Sequence, residues 1–244
     1  MVRDSAHFAR QLANSCTGPY WVVAYRIRRG QYYRRQASMV ADYLARPGSA
    51  KKLQIGCGKV LLDGWLNTDI RQDIAGVCYL DATERFPLPD NCLDCVFSEH
   101  IIEHIPYQGG EAMLRESLRT LKPGGRIRIA TPDLKKLLAL YTNQPTESQE
   151  RYIRWAVNRH MPGIGINKPQ FVINNFFASW GHQFIYDVET LSNVLNSCGF
   201  ADITEHSPGQ SDEANLRGIE SHQREIGDEM NLMETMVLEA RKPG

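Results

Sequence analysis

The sequence predicts an α/β fold built on a largely parallel sheet, and three stretches predict it. Leu53-Gln54-Ile55 is a short apolar strand running into Gly56-Cys57-Gly58, and Trp65-Leu66-Asn67-Thr68 is a second strand closing on Asp69. Leu93-Asp94-Cys95-Val96-Phe97 is a strongly apolar strand opening at Ser98-Glu99-His100. Glu111 to Leu121 is an amphipathic helix, with Met113, Leu114, Leu118 and Leu121 on one face. Lys122-Pro123-Gly124-Gly125 stops it and turns into the strand Arg126 to Ala130, which ends at Thr131-Pro132-Asp133. Successive strands that each end at ligand-friendly residues place a crevice at the carboxyl ends of a parallel sheet.

The remaining elements follow in order. Residues 1–15 predict a short helix, with Phe8 and Leu12 four apart, broken by Gly18-Pro19. Tyr20 to Leu44 reads as mostly helical, its aromatics interleaved with Arg26, Arg28, Arg29, Arg34 and Arg35. That segment is either an amphipathic cap on the sheet or a basic face for a phosphate-bearing substrate. Pro47-Gly48-Ser49 ends it, which gives an N-terminal helical cap over 1–49 and a main domain over 50–244. A third strand, Gly76 to Leu80, terminates at Asp81-Ala82.

Residues 134–186 break the strand–helix rhythm and are expected to form a lid. They hold two helical stretches, Leu134 to Tyr141 and Glu147 to Asn158. A glycine- and proline-rich run follows, then the aromatic run Phe171 to Phe177 and Trp180-Gly181-His182-Gln183. Asp187 caps a helix over Val188 to Ser197 that Gly199 ends. A sixth strand covers Ala201 to Glu205, a polar excursion covers 207–231, and the last strand is Glu234 to Ala240.

Composition sets bounds. The 244 residues are 42% hydrophobic and 23% charged, with zero formal net charge, which is ordinary for a globular domain with a full core. Nothing in the total asks for nucleic acid or an anionic membrane. The charge is uneven: residues 1–52 hold ten Lys/Arg and two Asp, a net of +8. The six cysteines are scattered. Cys92 and Cys95 make one CxxC with no second pair at zinc-site spacing, so core thiols in a reducing, cytoplasmic setting are expected. No stretch reaches the length of a membrane span.

The glycine turn, the strand-terminal Asp69, Asp81-Ala82 and LKPGG before the fifth strand occur in an order that resembles the class I S-adenosylmethionine-dependent methyltransferases. With the loop Glu99 to His104, the resemblance is to the small type 11 domains and covers roughly residues 50–240. GWLNTD, LDATERFPLPD and RIRIATPDL look like a group associated with polysaccharide, lipopolysaccharide or natural-product glycan biosynthesis. The resemblance implies a Rossmann-like sheet of order 3-2-1-4-5-7-6 with strand seven antiparallel, and S-adenosylmethionine as cofactor. It implies that Gly56, Cys57 and Gly58 form the turn under the methionine and ribose, that Asp69 binds the ribose hydroxyls, and that Asp81 and Ala82 meet the adenine. Ser98, Glu99 and His100 would line the methionine side. Two departures stand out. Val60 and Gln54 hold the places of the family's third glycine and strand-one acid. The crossover from Gly56 to Leu66 is too short for a helix, which leaves a loop or a single turn.

Methyl transfer is an in-line displacement in which the protein aligns the nucleophile and removes its proton. Histidine is the natural base near neutral pH, and His100, His104, His160 and His182 fall in site loops. His182 is the first choice for general base. Asp133 and His104 are further catalytic candidates, and Asn174, Asn175 and Tyr186 are candidates for polar contacts. His100 to His104 spells HxxEH, but no third ligand is evident in the sequence, so no metal is expected. The expected activity is O-methylation of a small glycosidic or polyhydroxylated acceptor. The alternatives are N-methylation of an amino sugar or other amine, and a catalytically silent methyltransferase-like scaffold. The expected partner is a small, sugar-containing molecule rather than nucleic acid, and the aromatic leader offers a surface for a homodimer.

Overall fold

The computed structural model describes residues 36–71 and 74–244. The chain divides into two compact units, Met1–Ala45 and Arg46–Gly244. In the first, residues 36–45 form helix α1. The readings of residues 1–35 fall outside the described residues.

In the second unit the strands are β1 (Lys52–Ile55), β2 (Leu66–Asp69), β3 (Cys78–Tyr79), β4 (Leu93–Glu99), β5 (Leu121–Pro132), β6 (Ala201–His206) and β7 (Thr235–Arg241). They form one sheet of order β3-β2-β1-β4-β5-β7-β6. β1 to β5 run parallel, and β7 is antiparallel to both β5 and β6. This is the order and the reversal that the resemblance implies. The helices are α2 (Tyr107–Thr120), α3 (Leu134–Ala139), α4 (Glu147–His160), α5 (Pro169–Ala178), α6 (Val188–Cys198), α7 (His222–Ile226) and α8 (Asp228–Glu234). Among the described residues no helix is long and apolar enough to cross a membrane, and the cysteines are free thiols.

The first crossover holds only turns between Ile55 and Leu66, yet β1 and β2 pair in parallel, with Leu53 opposite Leu66. A loop without a helix must satisfy its backbone groups elsewhere. Asn67 does part of this, because its side chain accepts from Leu62 N–H at 2.9 Å and donates to Leu62 O at 3.0 Å. Cys57 N–H donates to Thr68 O at 2.9 Å. The helix dipole usually found at this turn is therefore absent, as the spacing requires.

α2 buries Gly110, Met113, Leu114, Ser117 and Thr120, one helical stripe, and packs against α6. Asp187 caps α6 by accepting from Thr190 N–H, and Gly199 ends it in the left-handed region. Two expectations are corrected. Leu121, expected to end the helix, instead begins β5 and already pairs with Leu93, and an irregularity precedes the regular pairing from Arg126. The aromatic run Phe171 to Phe177 lies within a helix, α5.

The two irregular stretches share one hydrophobic cluster. Leu137, Leu140, Tyr152, Ile153, Val157, Val172, Phe176 and Ile185 form it, and Met230 and Met233 of α8 pack against it. The excursion after β6 is anchored by Arg128, which is fully buried on β5. Its guanidinium donates to Glu220 at 2.8 Å, to Gln210 O at 2.9 Å and to Glu239 at 2.6 Å. Glu239 stands directly opposite Arg128 on β7. Arg128 offsets one of the two carboxylate charges and bonds to both glutamates, which lowers the cost of burying them, and these bonds hold residues 207–221 against the sheet.

Candidate active site

At the carboxyl end of β1, Gly56 and Gly58 take φ values of +68° and +53°. A Cβ at Gly56 would lie 2.1 Å from Cδ1 of Ile101. A side chain in the loop after β4 thus fills the space that a Cβ would take, a reason the sequence does not reveal. Gly58 N–H donates to Asp69 Oδ2 at 2.9 Å, and Arg71 N–H donates to Oδ1 at 2.8 Å. The carboxylate at the end of β2 is therefore locked onto the glycine turn. Burial and the charge of Asp69 push the Cys57 thiol up to about 11.

A cavity of about 210 Å³ opens here, lined by Gln54, Gly56, Cys57, Val60, Glu99, His100, Ser221, His222 and Glu225. Four of the expected cofactor residues, Gly56, Cys57, Glu99 and His100, line it directly. Gly58 and Asp69 are joined to its rim by the bonds above. Asp81 accepts from Thr83 N–H at 2.9 Å and Thr83 Oγ1 at 2.7 Å, an Asx turn that leaves Asp81 and Ala82 outside the lining. The Glu99 carboxylate is committed to the excursion, accepting from Ser221 N–H, the Ser221 hydroxyl and His222 N–H at 2.7–3.0 Å. Gln54 Oε1, in this lining, and Ser98 Oγ are among the buried polar atoms that have no hydrogen-bond partner among the described residues.

A second cavity, about 320 Å³, shares His100, His222 and Glu225 with the first. Its wall gathers five histidines (His100, His104, His160, His182 and His222) with Glu103, Glu234, Phe176 and Trp180. His100 adopts φ +49°, a conformation that costs a side-chain-bearing residue about 1–2 kcal/mol. Strain of this kind collects at functional sites. Its Nδ1 meets Glu103 Oε1 at 3.1 Å, and its ring lies tilted against that of His222, with centroids 4.0 Å apart. Burial opposes charge on both partners. Their mutual bond outweighs it, raising His100 and lowering Glu103 from their ordinary values. Thr131 Oγ1 donates to the other Glu103 oxygen at 3.0 Å.

Trp180 and Gly181 both take positive φ, +58° and +82°. The resulting turn brings His182 Nδ1 to Phe176 O at 2.7 Å. Burial lowers the pKa of His182 and of His160, which favours their neutral forms. Across the cavity, His222 Nε2 meets Glu234 Oε1 at 2.9 Å, and the Tyr152 hydroxyl donates to the other Glu234 oxygen.

Of the expected catalytic residues, His104 and His182 line this cavity. Asp133 does not: it is buried and caps α3, accepting from Lys135 N–H at 2.8 Å. Asn174 donates to Gln170 O, Asn175 accepts from Ser179 Oγ, and Tyr186 is fully buried. Sequence reasoning missed His222, Glu225 and Glu234. They lie in or beside the polar excursion, and the available signals were Arg128 and Glu239, opposite charges each set in an apolar strand.

The family model for a methyltransferase domain matches residues 64–129. No curated protein matches the chain. A methyltransferase structure from Archaeoglobus fulgidus is 20% identical with a TM-score of 0.49, covering 92% of this chain and 100% of that one. One from Mesorhizobium loti is 18% identical with a TM-score of 0.48, covering 80% and 92%. A phosphoethanolamine N-methyltransferase from Haemonchus contortus is 16% identical with a TM-score of 0.43, and its match covers 86% of this chain but 53% of that one. This chain thus spans about half the length of the nematode enzyme, and likeness at these levels says nothing of substrate. The sheet order, with its reversed β7, is a Rossmann-like methyltransferase arrangement, and residues 64–129 are similar to a methyltransferase domain, the match beginning in the first crossover and running into β5.

Proposed function

We propose that the protein transfers a methyl group to a hydroxyl oxygen of a small glycosidic or polyhydroxylated acceptor held in the histidine-lined cavity. Its place would be in building a polysaccharide or a glycosylated natural product. The observation that carries this reading is the wall common to both cavities. His100, His222 and Glu225 face each of them, so an acceptor in the larger cavity lies beside a cofactor in the smaller one. S-adenosylmethionine supplies a methyl group activated by its sulfonium. Gln54 supports its fit: Oε1 is a buried, unbonded acceptor lining the smaller cavity, and the methionine ammonium is a matching donor. Gly56, Cys57, Gly58 and Asp69 hold the ribose end, Asp81 and Ala82 the adenine, and Ser98, Glu99 and His100 the methionine side.

A sugar hydroxyl must give up its proton as it is methylated. His222 is the base in this reading. Nε2–H donates to Glu234 and leaves Nδ1 bare. Glu234, itself held by Tyr152, fixes the tautomer and stabilises the imidazolium. His104 and His182 line the larger cavity only, beside the acceptor. Trp180 and Phe176 offer apolar faces to a sugar ring. A second reading, N-methylation of an amino sugar, is favoured by Glu103, Glu225 and Glu234 in the same wall, since carboxylates attract an ammonium.

Titration with S-adenosylhomocysteine, followed by a product assay across matched hydroxyl and amine acceptors, tests the proposal. His222→Ala and Glu234→Gln should each lower kcat by about 10²–10⁴, far more than either changes S-adenosylhomocysteine affinity. Turnover unaffected in both variants removes His222 from the base role. Methylation confined to amines selects the second reading.

A further inference from the structure

The larger cavity contains a donor set that proton removal by His222 does not use. Glu103, His104 and His182 each offer a ligand atom, and these atoms lie within 4.8 Å of one another. We propose that they bind a divalent transition-metal ion whose open coordination positions face the acceptor.

Two imidazoles and one carboxylate form the set used by catalytic zinc sites and by non-haem iron(II) sites. Magnesium and calcium prefer oxygen donors throughout, so an ion of the zinc, cobalt or iron(II) kind suits this set. The two chain segments that supply the ligands are fastened together. Gln183 N–H and Phe184 N–H donate to Glu103 O at 2.7 and 3.2 Å, and Gln183 Nε2 donates to His104 O at 2.6 Å. The set is therefore built by packing and does not depend on a mobile loop.

The surrounding bonds orient each donor. His182 Nδ1–H donates to the Phe176 carbonyl and leaves Nε2 bare, the arrangement that metal-ligating histidines use. Each Glu103 oxygen has one partner, His100 Nδ1 or Thr131 Oγ1, and keeps a lone pair. In HxxEH, then, the first histidine secures the carboxylate and is not itself a ligand. The third donor comes from His182, which the sequence motif could not disclose.

His104 makes no side-chain hydrogen bond among the described residues, and its ring stands edge-on to that of His182, with centroids 4.8 Å apart. Bonds of about 2.0–2.2 Å to a shared ion need the three atoms somewhat closer, so ion binding requires these side chains to draw together. Three protein ligands leave at least one position open. On the reading of the cavity as the acceptor site, a hydroxyl bound there becomes more acidic, and its proton passes to His222. Ion binding itself does not rest on that reading.

The test uses the full chain, stripped with a chelator and titrated with Co²⁺ and Zn²⁺ by calorimetry and visible absorption, with S-adenosylhomocysteine titrated on the same samples. The expected result is one ion per chain, Co²⁺ absorption of a mixed nitrogen–oxygen set, and affinity at least about tenfold weaker in His104→Ala and in His182→Ala. His160→Ala, a cavity histidine outside the set, should leave binding within about twofold. Circular dichroism and S-adenosylhomocysteine affinity show whether each variant is folded. No saturable metal binding by protein that binds S-adenosylhomocysteine overturns the inference and leaves the proposed function standing. Metal binding that no variant weakens, or that all three weaken alike, also overturns it. Metal binding by protein that ignores S-adenosylhomocysteine supports the ion site and removes the reading it would serve.

Discussion

Replacing Gly56 by alanine tests what the glycine turn is for. The residue sits at φ +68°, and a Cβ there would lie 2.1 Å from Ile101 Cδ1, 2.2 Å from Cγ1 and 3.3 Å from Cβ. The left-handed conformation costs an alanine about 1–2 kcal/mol, and forcing extra carbon into filled space costs about 1–3 kcal/mol more. Gly56→Ala should therefore lose roughly 2–5 kcal/mol, a large share of a typical domain's stability. Ile101→Ala in the same chain deletes the two near carbons and leaves a 3.3 Å contact that a small shift relieves. The double variant should recover the steric part alone, a coupling of about 1–3 kcal/mol. Urea unfolding measures this, with calorimetric titration of S-adenosylhomocysteine alongside. Cofactor affinity should return to that of Ile101→Ala. Strictly additive losses would refute the packing argument. Recovered stability without recovered affinity would mean that the glycine serves the ligand's approach and that Ile101 only fills the space behind it.

Three further outcomes follow from the same geometry. Asp69→Ala removes the carboxylate that accepts from Gly58 and Arg71; bonds to a charged group are worth about 1.5–3 kcal/mol. Calorimetry should show S-adenosylhomocysteine binding weakened by about tenfold or more, and unchanged affinity would take Asp69 out of the cofactor site. The Cys57 thiol is raised from 9.0 to about 11, chiefly by burial, so its neutral form prevails through pH 8 and its thiolate is about a hundredfold rarer there than at an ordinary cysteine. Iodoacetamide labelling followed by mass spectrometry should find Cys57 unreactive at pH 8 in the folded protein and reactive in urea; prompt labelling of folded protein would contradict its burial. Arg128→Met strands Glu220 and Glu239 as buried charges and should cost about 3–5 kcal/mol by urea unfolding. A loss below about 1 kcal/mol would show that the excursion is held by other contacts.

The sheet was legible because its signals are local. The GCG turn, Asp69 and LKPGG are short patterns whose order fixes a topology, and the residue count from Gly56 to Leu66 excluded a crossover helix. What replaces that helix was not legible, because the side chain of Asn67 closing on Leu62 is a tertiary detail. The helix α5 was obscured for a different reason. Phe171-Val172-Ile173 and Phe176-Phe177 are apolar almost without interruption, and a segment without a polar stripe shows no 3.6-residue period. Its two faces are settled only by the cluster it joins, where Val172 and Phe176 are buried while Phe177 stays exposed.

The site was half legible, and the division follows chain distance. His100, His104 and His182 could be picked out because they follow a strand end or a glycine. His222 and Glu234 could not, because a polar excursion reads as solvated surface until something holds it down. That anchor is Arg128, whose partners Glu220 and Glu239 lie 92 and 111 positions away. Alternation along Arg126-Ile127-Arg128-Ile129 would send both arginines to water. Arg126 is in fact partly exposed, with a relative side-chain exposure of 38%, while Arg128 has none. A glutamate within the otherwise apolar last strand, Val237-Leu238-Glu239-Ala240, is the complementary oddity. Two opposite charges, each misplaced in a core strand, are consistent only if those strands pair and something acidic covers the arginine. That condition brings Glu220, and with it Ser221 and His222, to the carboxyl edge beside Glu99. The buried charges thus close the wall that both cavities share, where an apolar pair would have left the excursion unanchored.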